Sequence, residues 1–297
     1  MGTLYVVGTP IGNLEDISLR ALRVLSEVDF IMAEDTRSAH TLLKHHGLST
    51  PVTSFHDFTA PAKVRRLVAR IEAGEDAAVI SEAGMPGISD PGYSVIREAL
   101  ATGCEVTCVP GPSAVPTALV LSGLPAHAFH YVGFLPRKAG ERERLLAMLA
   151  QEADTVICFE SPHRLMSALH AVAATFGEDR PMAAARELTK HYEEVVRGTV
   201  AEIIARFESD KPRGEFTLVL QGKGGKLASE ARDGQSVTIP PRGLGDPPSP
   251  GARTTRPGLS IRVRGPEPPE PPGRERQKRV LPGSMSKRSP RRSTEPE

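Results

Sequence analysis

Short apolar runs alternate with amphipathic segments along the first part of the chain. Five runs predict strands at residues 3–7, 29–33, 51–55, 76–80 and 104–109. Four segments between them predict helices at residues 18–26, 37–46, 62–73 and 93–102. In the third of these, apolar residues recur from Val64 to Ile71 at the spacing of one helix face. Regular alternation of this kind is typical of an α/β fold with a parallel sheet.

A second series follows Gly123, with a different order of elements. Strands are predicted at residues 130–134, 154–160, 182–188, 193–198 and 215–222, and helices at 139–150 and 163–174. Because little helix is predicted between the last three strands, the pattern favours a mixed or antiparallel sheet. We therefore predict two α/β domains, residues 1–115 with a parallel sheet and residues 116–225 with a mixed sheet.

The last 72 residues differ from the rest in composition. Residues 226–297 contain 14 of the 27 prolines, with 15 Lys and Arg against 8 Asp and Glu, whereas residues 1–225 contain 22 Lys and Arg against 28 Asp and Glu. A segment with so little apolar periodicity cannot bury enough surface to offset chain entropy. We predict that residues 226–297 form a disordered Pro/Arg-rich tail, and its basic stretches can serve as a loose RNA-binding arm.

Composition also excludes several classes of protein. The apolar runs are too short to span a membrane, and no basic segment precedes the apolar residues at the N-terminus, so we expect a cytoplasmic protein without membrane contact. Cys104, Cys108 and Cys158 are too few for a disulfide framework and have no zinc-ligand spacing. We expect them to be small core residues, and we expect no metal site.

Three Gly/Pro-rich loops follow predicted parallel strands. Their sequences are GTPIGN at 8–13, SEAGMPG at 81–87 and PGPSA at 110–114. The carboxyl edge of an open α/β sheet is where ligands bind, so the loops can line one crevice if their strands are neighbours, although each can also be a tight turn. The sequence lacks dinucleotide, nucleoside-triphosphate and serine-hydrolase fingerprints. Loops with little positive charge favour a neutral or zwitterionic ligand held by backbone groups.

Eight short motifs, in this order, resemble those of the small-subunit ribosomal RNA methyltransferase I family. They are TPIGNLEDI (9–17), AEDTR (33–37), SEAGMPGISDPG (81–92), PGPSA (110–114), GFLPR (133–137), FESPHR (159–164), ARELTK (185–190) and GEFTLV (214–219). The resemblance covers about residues 3–222. It implies the tetrapyrrole-methylase fold, class III of the S-adenosylmethionine (SAM) dependent methyltransferases, with the ligand crevice between two domains.

The resemblance also implies an activity and partners. The activity is 2′-O-methylation of the ribose of a cytidine in the decoding region of 16S rRNA, with SAM as methyl donor. The small ribosomal subunit is then the partner, and a homodimer is expected. Two alternatives remain: a precorrin-type tetrapyrrole methylase, because the fold is shared, and a non-enzymatic ribosome-associated binding module.

The residues expected at the site fall into three groups. SAM is expected to contact Pro10, Gly12, Ser81, Gly84, Met85, Pro86, Ser113, Ala114 and Phe134. The RNA is expected to contact Asp35, Arg37, Glu160, Arg164 and Arg186. Glu187 and Lys190 are the candidate catalytic residues, since a base or a cation near the ribose oxygen assists the transfer.

Structural roles compete with these assignments. Asp35 and Glu160 can cap helices that begin at Thr36 and Pro162, while Arg164 and Arg186 can form interdomain ion pairs. The sequence also departs from the family pattern at Glu82 and Met85, where the family usually has Asp and Thr. Both changes are tolerable if backbone atoms contact the ligand.

Overall fold

Two five-stranded sheets form the framework of the described chain, which in this computed structural model comprises residues 1–209 and 212–224. The strands of the first sheet are β1 (Thr3–Val7), β2 (Phe30–Ala33), β3 (Val52–Ser54), β4 (Ala77–Val79) and β5 (Glu105–Val109). Its helices are α1 (Leu19–Glu27), α2 (Thr36–His45), α3 (Pro61–Glu72) and α4 (Tyr93–Ala101). All neighbouring strands are parallel, in the order β3-β2-β4-β1-β5. The predicted parallel sheet is confirmed, and β4, β1 and β5 are neighbours.

The second sheet is mixed, as predicted. Its strands are β6 (Phe129–Phe134), β7 (Thr155–Glu160), β8 (Pro181–Arg186), β9 (Glu194–Thr199) and β10 (Phe216–Leu220), in the order β6-β7-β10-β8-β9. Its helices are α5 (Ala114–Ser122), α6 (Ala139–Leu149), α7 (Leu165–Phe176) and α8 (Val200–Glu208). Among the described strands of this sheet, only β6 and β7 run parallel, while β10 is antiparallel to β7 and β8, and β8 is antiparallel to β9. The carboxyl ends of β6 and β7 therefore lie at the same edge.

The sequence prediction missed two helices. The expectation of little helix before the last strand was wrong, because α8 separates β9 from β10 and is capped by a reciprocal Thr199–Glu202 capping box. Val200, Ile203 and Phe207 are buried at helical spacing, so this helix was visible in the sequence. By contrast, α5 is apolar on all sides and gives no amphipathic signal.

Helices cover both faces of each sheet. In the first half, α3 and α4 pack on one face and α1 and α2 on the other. In the second half, α6, α7 and α8 cover one face, while Val115 and Leu119 of α5 pack against Ile157 and Val219 on the other. Although α5 directly follows β5, its apolar side chains belong to the core of the second sheet. The domain bounds 1–115 and 116–225 stay a prediction.

The remaining expectations concern the cysteines, membrane-spanning helices and the C-terminal tail. Cys104 and Cys158 are buried as expected, but Cys108 is exposed because it lies on the edge strand β5. None of the helices formed by residues 1–209 and 212–224 is long and apolar enough to cross a membrane. The predicted tail, residues 226–297, lies outside the described residues.

Candidate active site

The three Gly/Pro loops lie together at the carboxyl edge of the first sheet. Thr9 and Gly84 exchange backbone hydrogen bonds of 2.9 and 3.1 Å, which join the loops after β1 and β4. Gly84 has a φ of 85°, a conformation that favours glycine. A Cβ atom on Gly8 would lie 2.7 Å from the Cα of Gly111, so glycine is required where the loops after β1 and β5 meet. The predicted crevice is thus present.

A polar cavity of about 520 Å³ opens on one side of these loops. It is lined by residues 9–12, 14, 33–35, 37–39, 41, 42 and 80–83 of the first half and by Lys190 and Glu215 of the second half. Four carboxylates (Glu34, Asp35, Glu82 and Glu215) face two basic side chains (Arg37 and Lys190). The cavity is therefore acidic overall.

An aromatic cavity of about 170 Å³ adjoins the polar one. It is lined by residues 11, 82–85, 88–90, 113–115, 134, 159, 160 and 215–217. Both halves of the described chain contribute, including the rings of Phe134 and Phe159, whose centroids are 5.5 Å apart. Ile11, Glu82, Ala83 and Glu215 line both cavities, so a ligand in one can meet a ligand in the other.

The structure gathers most of the residues predicted to contact a cofactor. The aromatic cavity contains Gly84, Met85, Ser113, Ala114 and Phe134. The polar cavity contains Pro10, Gly12 and Ser81. Pro86 is buried and lines neither cavity. Eight of the nine predicted residues therefore line one of the two adjoining cavities. Their contact with a cofactor stays a prediction.

The loop between β4 and α4, residues 81–92, is fastened to the second half. Ser89 has a φ of 60°, an uncommon value for serine, and its Oγ is hydrogen-bonded to the Oη of Tyr131 on β6 at 2.6 Å. A Cβ atom on Gly133 would lie 3.2 Å from the same Oγ. The loop is thus attached to β6 through Ser89, which lines the aromatic cavity.

Carboxylates concentrated at this loop raise one another's pKa values. Burial raises the pKa of Asp90 to about 7, and the charges of Glu34, Glu82, Glu215 and Asp57 add to that rise. Burial, followed by the charges of Glu34, Asp35 and Glu215, also raises the pKa of Glu82. A crevice with mutually repelling carboxylates favours a cationic ligand or one that donates hydrogen bonds.

Lys190 lies at the junction of the two halves, held by two carboxylates. Its Nζ is 2.9 Å from Oε1 of Glu187 and 3.3 Å from Oε2 of Glu215. Glu187 and Thr189 have φ values of 49° and 64°, so the turn that presents Lys190 has an uncommon backbone conformation. A Cβ atom on Gly12 would lie 2.5 Å from Cγ of Lys190, which explains glycine in the first loop.

These contacts fix the protonation of the pair. Burial alone would lower the pKa of Lys190, but its carboxylate partners outweigh burial and raise that pKa above its usual value. Burial alone would raise the pKa of Glu187, but hydrogen bonds from Lys190 and from the Glu215 backbone N–H lower it overall. Lys190 is therefore a cation and Glu187 an anion at neutral pH.

The residues predicted to contact RNA have separate positions. Asp35 lines the polar cavity and also caps α2, since its carboxylate accepts a 2.7 Å hydrogen bond from the Arg37 N–H. Arg37 is exposed and lines the same cavity. Glu160 lines the aromatic cavity, its side chain is fully buried, and it forms a 2.6 Å ion pair with Arg164. Arg186 lines neither cavity.

The competing structural roles are only partly correct. Glu160 does not cap a helix at Pro162, because α7 begins at Leu165 and Oε1 of Glu160 accepts a hydrogen bond from the N–H of its neighbour Ser161. The ion pairs are not interdomain either. Arg164 pairs with Glu160, and Arg186 pairs with Glu194 of β9 at 2.6 Å. Both arginines are thus engaged within the second half.

Sequence reasoning missed several residues of the crevice. Asp90, Phe159 and Glu215 belong to motifs singled out in the sequence, but each motif contains several polar or aromatic residues and gives no sign of which one faces a ligand. The Ser89–Tyr131 contact has no sequence signal, since the two residues are 42 positions apart.

Known proteins similar to this chain are methyltransferases by name. The family model for Tetrapyrrole (Corrin/Porphyrin) Methylases matches residues 3–204. A protein of Thermotoga maritima named Ribosomal RNA small subunit methyltransferase I is 47% identical over 223 residues, which are 75% of this chain and 100% of the relative. The chain belongs to the ribosomal RNA small subunit methyltransferase I family. The predicted membership and the tetrapyrrole-methylase fold are confirmed.

Other relatives of this family extend the agreement. The protein of the same name from Synechocystis is 44% identical over 222 residues, which are 75% of this chain and 80% of the relative. Among solved structures, a cobalt precorrin-4 methyltransferase has a TM-score of 0.56 at 18% identity, covering 74% of this chain and 94% of that one. The last similarity concerns the fold alone.

Proposed function

We propose that this chain is a SAM-dependent methyltransferase that methylates the ribose 2′-oxygen of a cytidine in the decoding region of 16S rRNA. The observation that supports this most directly is the pair of adjoining cavities, one suited to a cationic donor and the other containing a fixed ammonium group. The name shared by relatives at 41–47% identity supports ribosomal RNA as the substrate. It also favours RNA over a tetrapyrrole.

The aromatic cavity fits the chemistry of SAM. Among its described lining residues are four carboxylates (Glu82, Asp90, Glu160 and Glu215) and no Lys or Arg. That charge suits a sulfonium cation and opposes a polyphosphate. Phe134 and Phe159 supply aromatic surface for a purine ring. When bound, SAM supplies an electrophilic methyl group, and Gly84 and Met85 would hold it from the loop after β4.

The polar cavity is where the target ribose would lie. A ribose hydroxyl becomes a good nucleophile only as its proton leaves, here to water or to a carboxylate of the cavity, so negative charge develops on the 2′-oxygen. Lys190 cannot serve as the base because it keeps its proton at neutral pH, but its ammonium group can stabilise that charge. Glu187 and Glu215 then act by holding Nζ of Lys190 in position.

Methyl transfer to isolated 30S subunits tests the proposed function. The full chain is incubated with SAM labelled in its methyl group and with 30S subunits that lack this modification, and the labelled nucleotide is mapped. We expect one labelled cytidine whose 3′ linkage resists alkali, because a 2′-O-methyl group removes the hydroxyl needed for cleavage.

Three other outcomes would contradict the proposal. Label on a base, or on a linkage that alkali still cleaves, would contradict ribose methylation. Transfer to a tetrapyrrole but not to RNA would establish the precorrin-type alternative. Binding of SAM and of 30S subunits without any transfer would indicate a non-enzymatic binding module.

A further inference from the structure

The acidic crevice is poorly suited to the phosphates of the RNA backbone. Four carboxylates of the polar cavity would repel phosphates, and Arg164 and Arg186, which sequence reasoning assigned to RNA, are engaged by Glu160 and Glu194. Nucleic-acid affinity nevertheless depends on basic side chains that neutralise phosphates. Among its described lining residues, the polar cavity contains only Arg37 and Lys190 as basic residues, and Lys190 is held by two carboxylates, so further phosphate-contacting groups are needed on a surface that borders the cavities.

Two loops of the second half border the aromatic cavity. They follow the parallel strands β6 and β7 and consist of residues 135–138 and 161–164. Nη1 of Arg164 donates a 3.2 Å hydrogen bond to the carbonyl oxygen of Leu135, which joins the two loops. Arg164 is thus a structural connection between the loops, and Arg137, Lys138 and His163 beside it face solvent.

Three side chains of these loops have nitrogen atoms that can donate hydrogen bonds to a phosphate. Arg137, Lys138 and His163 are all exposed. Arg137 forms no ion pair and no side-chain hydrogen bond with any residue of the described ranges 1–209 and 212–224. Lys138 is 3.0 Å from Glu141, but its side chain is 81% exposed, and such surface pairs are weak. The positive charge of these loops is therefore available to a partner.

An exposed aromatic ring lies beside this charge. Phe134 ends β6, is 54% exposed despite its size, and lines the aromatic cavity three positions before Arg137. Exposed aromatic rings next to basic side chains are typical of surfaces that bind single-stranded RNA, where bases stack and phosphates pair with cations.

We propose that Arg137, Lys138 and His163 form a phosphate-contacting rim over which the backbone of single-stranded rRNA passes while the target nucleoside enters the acidic crevice. This inference rests on the proposed function and adds the surface by which the substrate is held. It separates the two tasks electrostatically: the rim attracts phosphates, and the crevice excludes them and accepts the cationic donor.

Charge reversal at one position tests the rim. Arg137→Glu is compared with Lys44→Glu, which makes the same charge change in the last turn of α2, away from both loops. The full chain is titrated with a single-stranded 16S rRNA fragment containing the target region at several salt concentrations. We expect Arg137→Glu to raise Kd about tenfold or more at low salt and to flatten the slope of log affinity against log salt by about 1, with SAM affinity unchanged.

The same experiment can also contradict the proposed rim. Equal effects of Arg137→Glu and Lys44→Glu on Kd and slope would show that the charge acts only through the overall field, and the rim would be rejected. Arg137→Lys should restore most of the lost affinity if a phosphate is the partner. Wild-type protein that transfers no methyl group to any RNA would instead refute the proposed function, whatever the rim variants do.

Discussion

At the residue scale, the acidic groups of the crevice differ in protonation. The pKa of Asp90 is raised and that of Glu187 is lowered, while Lys190 keeps its proton. The sequence identified Glu187 and Lys190 as polar residues of one motif, but their charge states depend on Glu215, a residue 25 positions beyond Lys190 that the fold brings to 3.3 Å. Asp90 was not singled out, because its raised pKa depends on burial and on carboxylates from other loops. The sequence therefore indicated which motifs meet at the crevice, but it indicated neither the part played by Asp90 nor the protonation of the acidic groups.

Replacement of Lys190 tests its charge. Lys190→Met keeps the length of the side chain but removes the ammonium group, so we expect kcat to fall about 100-fold or more, as for loss of one group that stabilises transition-state charge. SAM affinity should change little, because Lys190 does not line the aromatic cavity. Single-turnover methyl transfer and calorimetry measure the two effects. Lys190→Arg should recover part of the rate, and a kcat unaffected by Lys190→Met would exclude the ammonium from catalysis.

Asp90 should link pH to both stability and donor binding. Its folded-state pKa of about 7 lies above the ordinary value of 3.8, so the folded chain binds the proton more tightly and loses stability as pH rises through this interval. Asp90→Asn removes that loss. We expect a Tm above that of the wild type at pH 8 and a smaller difference near pH 4.

The same substitution should weaken binding of SAM more than binding of the product S-adenosylhomocysteine, since only SAM contains a sulfonium charge for the ionised carboxylate to attract. The preference of the wild type for SAM should likewise diminish as pH falls through about 7, because Asp90 then gains a proton and loses its charge. Calorimetry with both ligands at two pH values checks this. An equal loss for the two ligands would remove Asp90 from charge recognition.

At the element scale, the loop of residues 81–92 shows what local sequence can and cannot predict. Its three glycines correctly indicated unusual backbone, and Gly84, Gly87 and Gly92 all have positive φ. Its position at the carboxyl edge of a sheet followed from the alternation of strands and helices, but its place beside the loops after β1 and β5 depends on the strand order, which alternation does not give. Its attachment to β6 through Tyr131 did not, because a single tertiary hydrogen bond leaves no pattern in the sequence.

Removal of that hydrogen bond should loosen the loop without unfolding the chain. Tyr131→Phe deletes the hydroxyl that contacts Ser89, at a cost of about 1 kcal/mol in the free energy of unfolding. We expect faster amide exchange in residues 81–92 and a several-fold weaker SAM affinity, because the loop lines the aromatic cavity. Tyr192→Phe, at an exposed ring, is the control. If exchange in the loop matched that of the control, the contact would not restrain it.

At the scale of the whole molecule, charge is divided unequally. Residues 1–225 contain an excess of acidic residues, and residues 226–297 an excess of basic ones. Residues 1–225 must therefore bind RNA through a local rim, or residues 226–297 must supply the attraction. A homodimer stays a prediction of the family resemblance, and light scattering at micromolar concentration checks it. The rim and the tail can be separated by truncation.

A chain ending at Gly225 should fold and bind SAM as the full chain does. It retains β10, which lies between β7 and β8, and the 2.7 Å hydrogen bond from the N–H of Lys223 to the carbonyl oxygen of Glu152. The alignment with the Thermotoga maritima relative, which spans that whole protein, also covers only 75% of this chain. Thermal unfolding and SAM calorimetry should therefore give unchanged values.

RNA binding is where the truncated and full chains should differ. If the tail acts as a basic arm, its loss weakens rRNA binding and flattens the salt dependence, because fewer counterions are released. Arg137→Glu in the truncated chain should then weaken binding further, since rim and arm contact different phosphates. If truncation leaves affinity and salt slope untouched while Arg137→Glu still weakens binding, the rim alone holds the RNA and the arm interpretation is wrong.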